Sequence, residues 1–300
     1  MQTLTQIREL LQQAGLEPRR MFGQNFLIDG NLMLKLLDLA ECQAADVLEV
    51  GPGTGSLTEE LLRRARSVLA VEIDRDLAAV IRHHLRDRAS LTILNCDVLD
   101  GKTSLSPPVL DALAGRPPVH LVSNLPYNVA VPVILNSLLL TWRSLRPAAG
   151  GQAQAPAFPA IVRLTFTVQR ELVDRLAARP GSRDYGLPSI IVSLLARATP
   201  GRIVPATAFW PRPKVQSQML RLDFDPARAA ELKDAEALGK VIAACFAQRR
   251  KKIAAAAKLK DLPFPPERLL AALEQAGVSL DDRAEHVSPE SFRAVANSLV

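Results

Sequence analysis

The sequence predicts a doubly wound, Rossmann-like α/β domain over residues 1–224, followed by a small all-helical domain over residues 225–300. Three observations lead there. Short apolar strands alternate with amphipathic helices, the first strand runs directly into a glycine-rich turn, and strand patterning stops at about Asp225. A chain of 300 residues suits one large domain with a smaller partner.

Residues 1–20 read as an amphipathic helix, and Arg8 and Glu9 interrupt any apolar stretch a secretory signal would need. The first strand is Asp46 to Val50, ending in Gly51-Pro52-Gly53-Thr54-Gly55. A helix follows, with Thr54 or Ser56 as candidate cap and Leu57, Leu61 and Leu62 as its buried stripe. Ser67 to Ile73 is a second strand ending in acids; the helix Leu77 to Leu85 leads to the strand Leu91 to Asn95, which stops at Cys96-Asp97. Ser104 to Pro118, with two Pro-Pro pairs, is expected as a loop. Val119 to Ser123 is the next strand and runs into Asn124-Leu125-Pro126-Tyr127. Arg146 to Pro159 is expected as a flexible excursion. Ala160 to Phe166 is a strand, Gln169 to Ala178 a helix, and Gln218 to Phe224 the last strand. The alternation argues for a parallel sheet covered on both faces.

Hydrophobic residues make up 48% and charged residues 23%, enough to bury a sizeable core. The net charge of +6 permits a nucleic-acid partner without requiring one. Cys42, Cys96 and Cys245 form neither a zinc spacing nor a disulfide framework, and the four histidines show no ligand spacing, so no metal is expected. The most apolar segments, Val129 to Trp142 and Leu187 to Ala196, are too short to span a bilayer. A soluble cytoplasmic protein with no membrane partner is the expectation.

Glycines after a first strand let a nucleotide-like cofactor approach the backbone, and Gly51 and Gly53 supply that turn. Glu72 ends the next strand at the distance where an acid reaches ribose hydroxyls, and Asp97 adds an acid at a third strand end. An NAD-binding fold, or a turn that merely joins strand to helix, shares the first two features. The segment Asn124 to Tyr127 separates them. An exocyclic adenine amine is a poor nucleophile, because its lone pair is delocalised into the ring. Its two N–H groups need two acceptors that draw the nitrogen toward tetrahedral geometry. The Asn124 side-chain oxygen and the Leu125 carbonyl are candidates, Pro126 stiffens the turn, and the Tyr127 ring offers a stacking face. No general base is required, since the proton can leave to water.

Taken together these segments resemble the ribosomal RNA adenine N6,N6-dimethyltransferases, and within them the bacterial enzymes acting on 16S rRNA. The resemblance is carried by Gly23-Gln24-Asn25-Phe26-Leu27-Ile28-Asp29, by the glycine turn with Val71-Glu72-Ile73-Asp74, and by Asn124 to Pro132. Gln169-Arg170-Glu171-Leu172, Tyr185-Gly186, Phe209 with Pro211-Arg212-Pro213-Lys214-Val215, and Phe246 to Lys251 extend it over nearly the whole chain. It implies S-adenosylmethionine as methyl donor, held by Asn25, Leu27, Gly51, Gly53, Glu72, Asp97 and Asn124. It also implies Phe166 as a second aromatic face for the base, although by residue type Phe166 reads as strand core. The implied partner is 16S rRNA in the small ribosomal subunit or its precursor; a monomer is the expectation, although the sequence itself does not give the oligomeric state. Val129-Ala130-Val131 and Pro188 depart from the usual pattern.

Between Lys240 and Lys260 there are basic residues and no acid, clustered at Arg249-Arg250-Lys251-Lys252. A solvated helix face is the ordinary reading of such a run; like charges unrelieved by carboxylates favour rRNA phosphates instead. Two rival functions share much of this pattern: a resistance-type 23S rRNA adenine methylase and a non-catalytic rRNA-binding assembly factor. Arg283-Ala284-Glu285 and the Phe209-to-Val215 segment favour the 16S enzyme over the first, and the intact Gly51, Glu72, Asp97 and Asn124 set disfavours the second. A dehydrogenase would have no use for Asn124 to Tyr127.

Overall fold

A computed structural model describes residues 1–19, 23–146 and 160–300. Arg20 of the expected N-terminal helix, and residues 147–159 of the expected excursion, lie outside the described residues. The chain begins with α1 (Leu4–Gln13), β1 (Phe26–Leu27), α2 (Gly30–Ala40), β2 (Asp46–Val50), α3 (Ser56–Arg64), β3 (Ser67–Glu72), α4 (Arg75–His84) and β4 (Leu91–Asn95). A short ribbon of β5 (Leu99–Asp100) and β6 (Ser104–Leu105) precedes α5 (Pro107–Leu113), β7 (Val119–Asn124), α6 (Ala130–Ser144) and β8 (Ile161–Gln169). Then come α7 (Arg170–Leu176), α8 (Leu187–Leu195), β9 (Ala196–Val204), β10 (Phe209–Trp210) and β11 (Ser217–Phe224). Helices α9 (Pro226–Ala230), α10 (Ala235–Phe246), α11 (Pro266–Gln275) and α12 (Pro289–Ser298) follow.

Seven strands form the main sheet in the order β4-β3-β2-β7-β8-β11-β9. From β4 to β8 neighbouring strands are parallel, and β11 runs antiparallel to β8. The chain winds outward from β2 to β4, then returns to the other side of β2 with β7. That reversal opens a crevice beyond the carboxyl ends of β2 and β7, where open α/β sheets place ligands. All five residues of β2 are buried, as a central strand covered on both faces requires. Leu36 and Leu37 of α2, Leu61 of α3, and Val47 and Val68 of the sheet share one core cluster.

The residues group into two compact units, Met1–Val173 with Ala198–Phe224, and Asp174–Arg197 with Asp225–Val300. The segment Asp174–Arg197, expected in the first domain, therefore belongs with the helical unit. Its helix α8 is apolar all round, buried from Pro188 to Val192 and again at Leu194 and Leu195, and it packs on α10 and α12. Tyr185, just before it, is fully buried, donates its hydroxyl to the Val287 carbonyl at 2.8 Å, and tilts against Phe246.

Two local expectations are corrected, and one strand goes unforeseen. The helix α3 is capped by Gly55 in the left-handed region, not by Thr54 or Ser56. Those two hydroxyls are occupied by Gln2: Thr54 donates to its Oε1 at 2.7 Å, and Ser56 Oγ accepts from its backbone N–H at 3.0 Å. The expected loop from Ser104 holds α5, because Pro107 at the first helical position loses no hydrogen bond. Finally, β9 escapes periodicity because it is largely exposed at the sheet edge and contains Pro200 and Gly201.

Candidate active site

The glycine turn after β2 has left-handed backbone at Gly51 (φ 68°) and Gly53 (φ 62°). Space as well as conformation demands glycine there: a Cβ on Gly51 would lie 2.8 Å from Pro126 Cγ, and one on Gly53 2.8 Å from the Phe26 ring. The turn is thus held between the Asn124-to-Tyr127 loop and β1. Glu72, at the end of β3 and buried, fastens it from below. Its Oε2 accepts from the Gly53 N–H at 3.0 Å and its Oε1 from the Asp74 N–H at 2.9 Å. Burial pushes the Glu72 carboxyl up to about 7, against the pull of those two N–H groups. Each oxygen retains a lone pair for a further donor.

Asp97 stands exposed past the end of β4, with Oδ1 accepting from the Leu99 N–H at 2.9 Å. Asn25 turns its side chain onto the Gly23 carbonyl at 3.0 Å, and its own carbonyl accepts from Asn124 Nδ2 at 3.0 Å. Leu27 is buried in β1, paired with Phe209 of β10. Asn124, Leu125 and Tyr127 follow at the end of β7, where the Leu125 N–H donates to the Thr167 carbonyl at 3.2 Å. A single cleft is lined by Asn25, Gly51, Glu72, Asp97, Asn124 and Tyr127, with Leu27, Gly53 and Leu125 among its other walls.

Two features set the chemistry of this cleft. Asn124 Oδ1 is buried and has no hydrogen-bond partner among the described residues. Its orientation is fixed, since the Asn25 carbonyl can only accept and therefore faces the amide nitrogen. The Tyr127 ring is held at its far end, where the phenol shares a 2.8 Å hydrogen bond with Ser217 Oγ of β11.

The structure does not bring Phe166 to the cleft. It lies in mid-β8, between Ser123 and Leu220 on the neighbouring strands, and is fully buried, so it has no free face for a base. The sequence assigns no site role to Glu49, an acid inside the apolar run of β2 just before the glycine turn, which lines the same cleft. Burial drives it up to about 8, with repulsion from Glu72 adding to this while a 2.7 Å bond from the Thr58 hydroxyl opposes it.

In the helical unit the basic run follows α10 instead of lying on it. Its charges are partly relieved by acids distant in sequence: Arg249 pairs with Glu285 at 2.8 Å and donates to the Ser182 carbonyl at 3.1 Å, and Lys252 pairs with Asp281 at 2.7 Å. Arg250 and Lys251 are exposed and have no ion pair among the described residues.

The model of the family described as "Ribosomal RNA adenine dimethylase" matches residues 15–300. The chain belongs to that family. Among curated relatives, the chain is 34% identical to Ribosomal RNA small subunit methyltransferase A of Moorella thermoacetica over 293 residues, covering 97% of this chain and 95% of that one. The protein of the same name from Acidothermus cellulolyticus is 39% identical over 300 residues, covering 97% and 92%. Of solved structures, the 23S rRNA methyltransferase ErmE is 27% identical with a TM-score of 0.59, covering 91% of this chain and 99% of that one. A dimethyladenosine transferase from Plasmodium falciparum, at 21% identity and a TM-score of 0.67 over 89% and 94% of the two chains, shares the fold. Family membership and these relatives make the chain an enzyme that methylates adenine in ribosomal RNA with S-adenosylmethionine.

Proposed function

We propose that this enzyme acts on N6 of two adjacent adenines near the 3′ end of 16S rRNA, dimethylating each, during maturation of the small ribosomal subunit in the cytoplasm. The small-subunit names of its relatives support the choice of RNA. The observation that carries the chemistry is the buried, partnerless Oδ1 of Asn124 at the sheet's crevice. A buried amide oxygen without a donor costs about 1–3 kcal/mol, and an incoming N–H recovers that cost.

The cleft fits the donor. Gly51 and Gly53 line it with backbone that packs directly on Pro126 and Phe26, and Glu72 keeps acceptor capacity for ribose hydroxyls. Asp97 is free to take an adenine amine on one oxygen while the other holds Leu99. Asn25 and Leu27 complete the wall. When bound, S-adenosylmethionine supplies an electrophilic methyl on a sulfonium. The chain's own work is to aim the nucleophile. Asn124 Oδ1 accepts one N–H of the target amine and the Leu125 carbonyl the other, which turns the nitrogen lone pair out of conjugation. Tyr127 stacks on the base, at about 1–3 kcal/mol for such an interaction. Arg250 and Lys251, with Arg249 and Lys252 held beside them by their acids, contact rRNA phosphates.

The test is incubation of labelled donor with small subunits lacking the modification, followed by mapping of the labelled nucleotides. Two adjacent labelled adenines near the 16S 3′ end are expected. Label confined to an adenine of 23S rRNA, when whole ribosomal RNA is offered, would move the chain to the resistance-type reading.

A further inference from the structure

Ser217 stands at the first position of β11 opposite Gln169, and it is fully buried. Its hydroxyl lies 2.8 Å from the phenol of Tyr127, a residue 90 positions earlier in the chain. The phenol is itself half-buried, and burial raises its pKa, so it stays protonated at neutral pH and either hydroxyl can donate along the bond. We propose that Ser217 is a positioning residue for the target base: by holding the phenol it fixes the plane of the Tyr127 ring on which that base stacks.

The inference rests on the reading of Tyr127 as the stacking face. An aromatic side chain at a cleft mouth has two rotatable bonds, and the loop around Asn124 constrains only its root. Stacking is sensitive to ring angle, and the amine must meet Asn124 Oδ1 at the same time. A ring free to tilt would carry the amine away from that acceptor. A hydrogen bond at the para position removes this freedom without touching the face presented to the base. β11 is a suitable anchor because it is paired along Ser217–Asp223 with β8, the strand adjoining β7 from which Tyr127 emerges. Both ends of the bond are therefore tied to one rigid sheet, and preorganisation of this kind acts on the rate of the oriented step.

The experiment compares single-turnover methylation of unmodified small subunits, at saturating donor and RNA, for wild type, Ser217→Ala, Ser217→Thr, Tyr127→Phe, Tyr127→Ala and the double variant Ser217→Ala/Tyr127→Phe. Removing one hydrogen bond of this kind corresponds to about a five- to tenfold change. Ser217→Ala and Tyr127→Phe should each slow transfer by about that factor, with donor affinity by calorimetry unchanged. The double variant should be no slower than either single one, because both remove the same bond, and Ser217→Thr should restore the rate. Tyr127→Phe leaves β11 intact and so keeps the test decisive even if Ser217→Ala fails to fold. A slow Tyr127→Ala beside Tyr127→Phe at wild-type rate overturns the positioning role and leaves the stacking face standing. Tyr127→Ala at wild-type rate overturns both.

Discussion

Asn124 and Asn25, 99 positions apart, are joined by a 3.0 Å bond from the Asn124 side-chain amide to the Asn25 carbonyl. This bond does two things. It ties β1 to the end of β7 across the mouth of the glycine turn, and it assigns the two ends of the Asn124 amide. With Nδ2 committed, Oδ1 is the acceptor left over. An aspartate at 124 could accept as well as the amide oxygen does, but it would face the Asn25 carbonyl with a second acceptor and lose the tie.

That distinction gives the first prediction. Asn124→Ala should lower the single-turnover methylation rate by about 10²–10³, the usual effect of removing one preorganised polar group at a reacting centre. Asn124→Asp should be nearly as slow despite keeping an oxygen at the site. An aspartate variant within a few-fold of wild type would show that the amide's orientation by Asn25 is unimportant.

Glu72 supports a second. Removing its carboxylate in Glu72→Ala takes away the ribose acceptor and the anchor of the Gly53 N–H together. A loss of about 2–3 kcal/mol, roughly fifty-fold in donor affinity, is expected by calorimetry. The same carboxyl titrates at about 7 in the fold. Hydroxyl donors favour its charged form, so donor binding should weaken as pH falls below about 7 and should release protons there. Equal affinity above and below that pH would remove Glu72 from the ribose.

The sequence made β2, the glycine turn and Asn124 readable because each announces itself locally: an apolar run, closely spaced glycines, a polar turn at a strand end. Gly51 and Gly53 needed no partner to be recognised. Ser217 was not legible, since a serine opening a strand looks ordinary and its partner is 90 positions away. The grouping of Asp174–Arg197 with the helical unit was hidden for the same reason, its burial being supplied by α10 and α12. Phe166 came from resemblance alone, and its complete burial removes it from the cleft. The relief of Arg249 by Glu285 is likewise invisible to a window centred on either residue.

The basic run yields a third prediction, one that divides it. Arg249 holds Glu285 and the Ser182 carbonyl, so Arg249→Gln should lower thermal stability. Arg250→Gln with Lys251→Gln should leave stability and donor affinity unchanged and weaken RNA binding. The slope of log affinity against log salt should fall by about 0.7–0.9 for each phosphate the variant no longer neutralises. An unchanged slope in the double variant would make these two side chains a solvated surface.

The last prediction concerns Glu49, whose environment makes stability depend on pH. In an unfolded chain its carboxyl titrates near the ordinary 4.5, whereas burial in β2 raises it to about 8 in the fold. Between those values the folded chain holds a proton that the unfolded chain has lost. Folding is then linked to proton uptake, and stability must fall as pH rises. The contribution is fully present below 4.5 and is gone once pH has passed through the folded value of about 8. Glu72 acts in the same direction over a narrower window, ending at about 7. Glutamine at 49 keeps an oxygen for the Thr58 hydroxyl and cannot ionise, so Glu49→Gln should leave only the Glu72 part of this dependence. Thermal midpoints measured from about pH 5 to about pH 9 should decline in the wild type and decline less in Glu49→Gln, with the two curves separating most above about pH 7. Parallel curves for the two proteins would mean that Glu49 is ionised in the folded chain at neutral pH, against the burial that holds its proton.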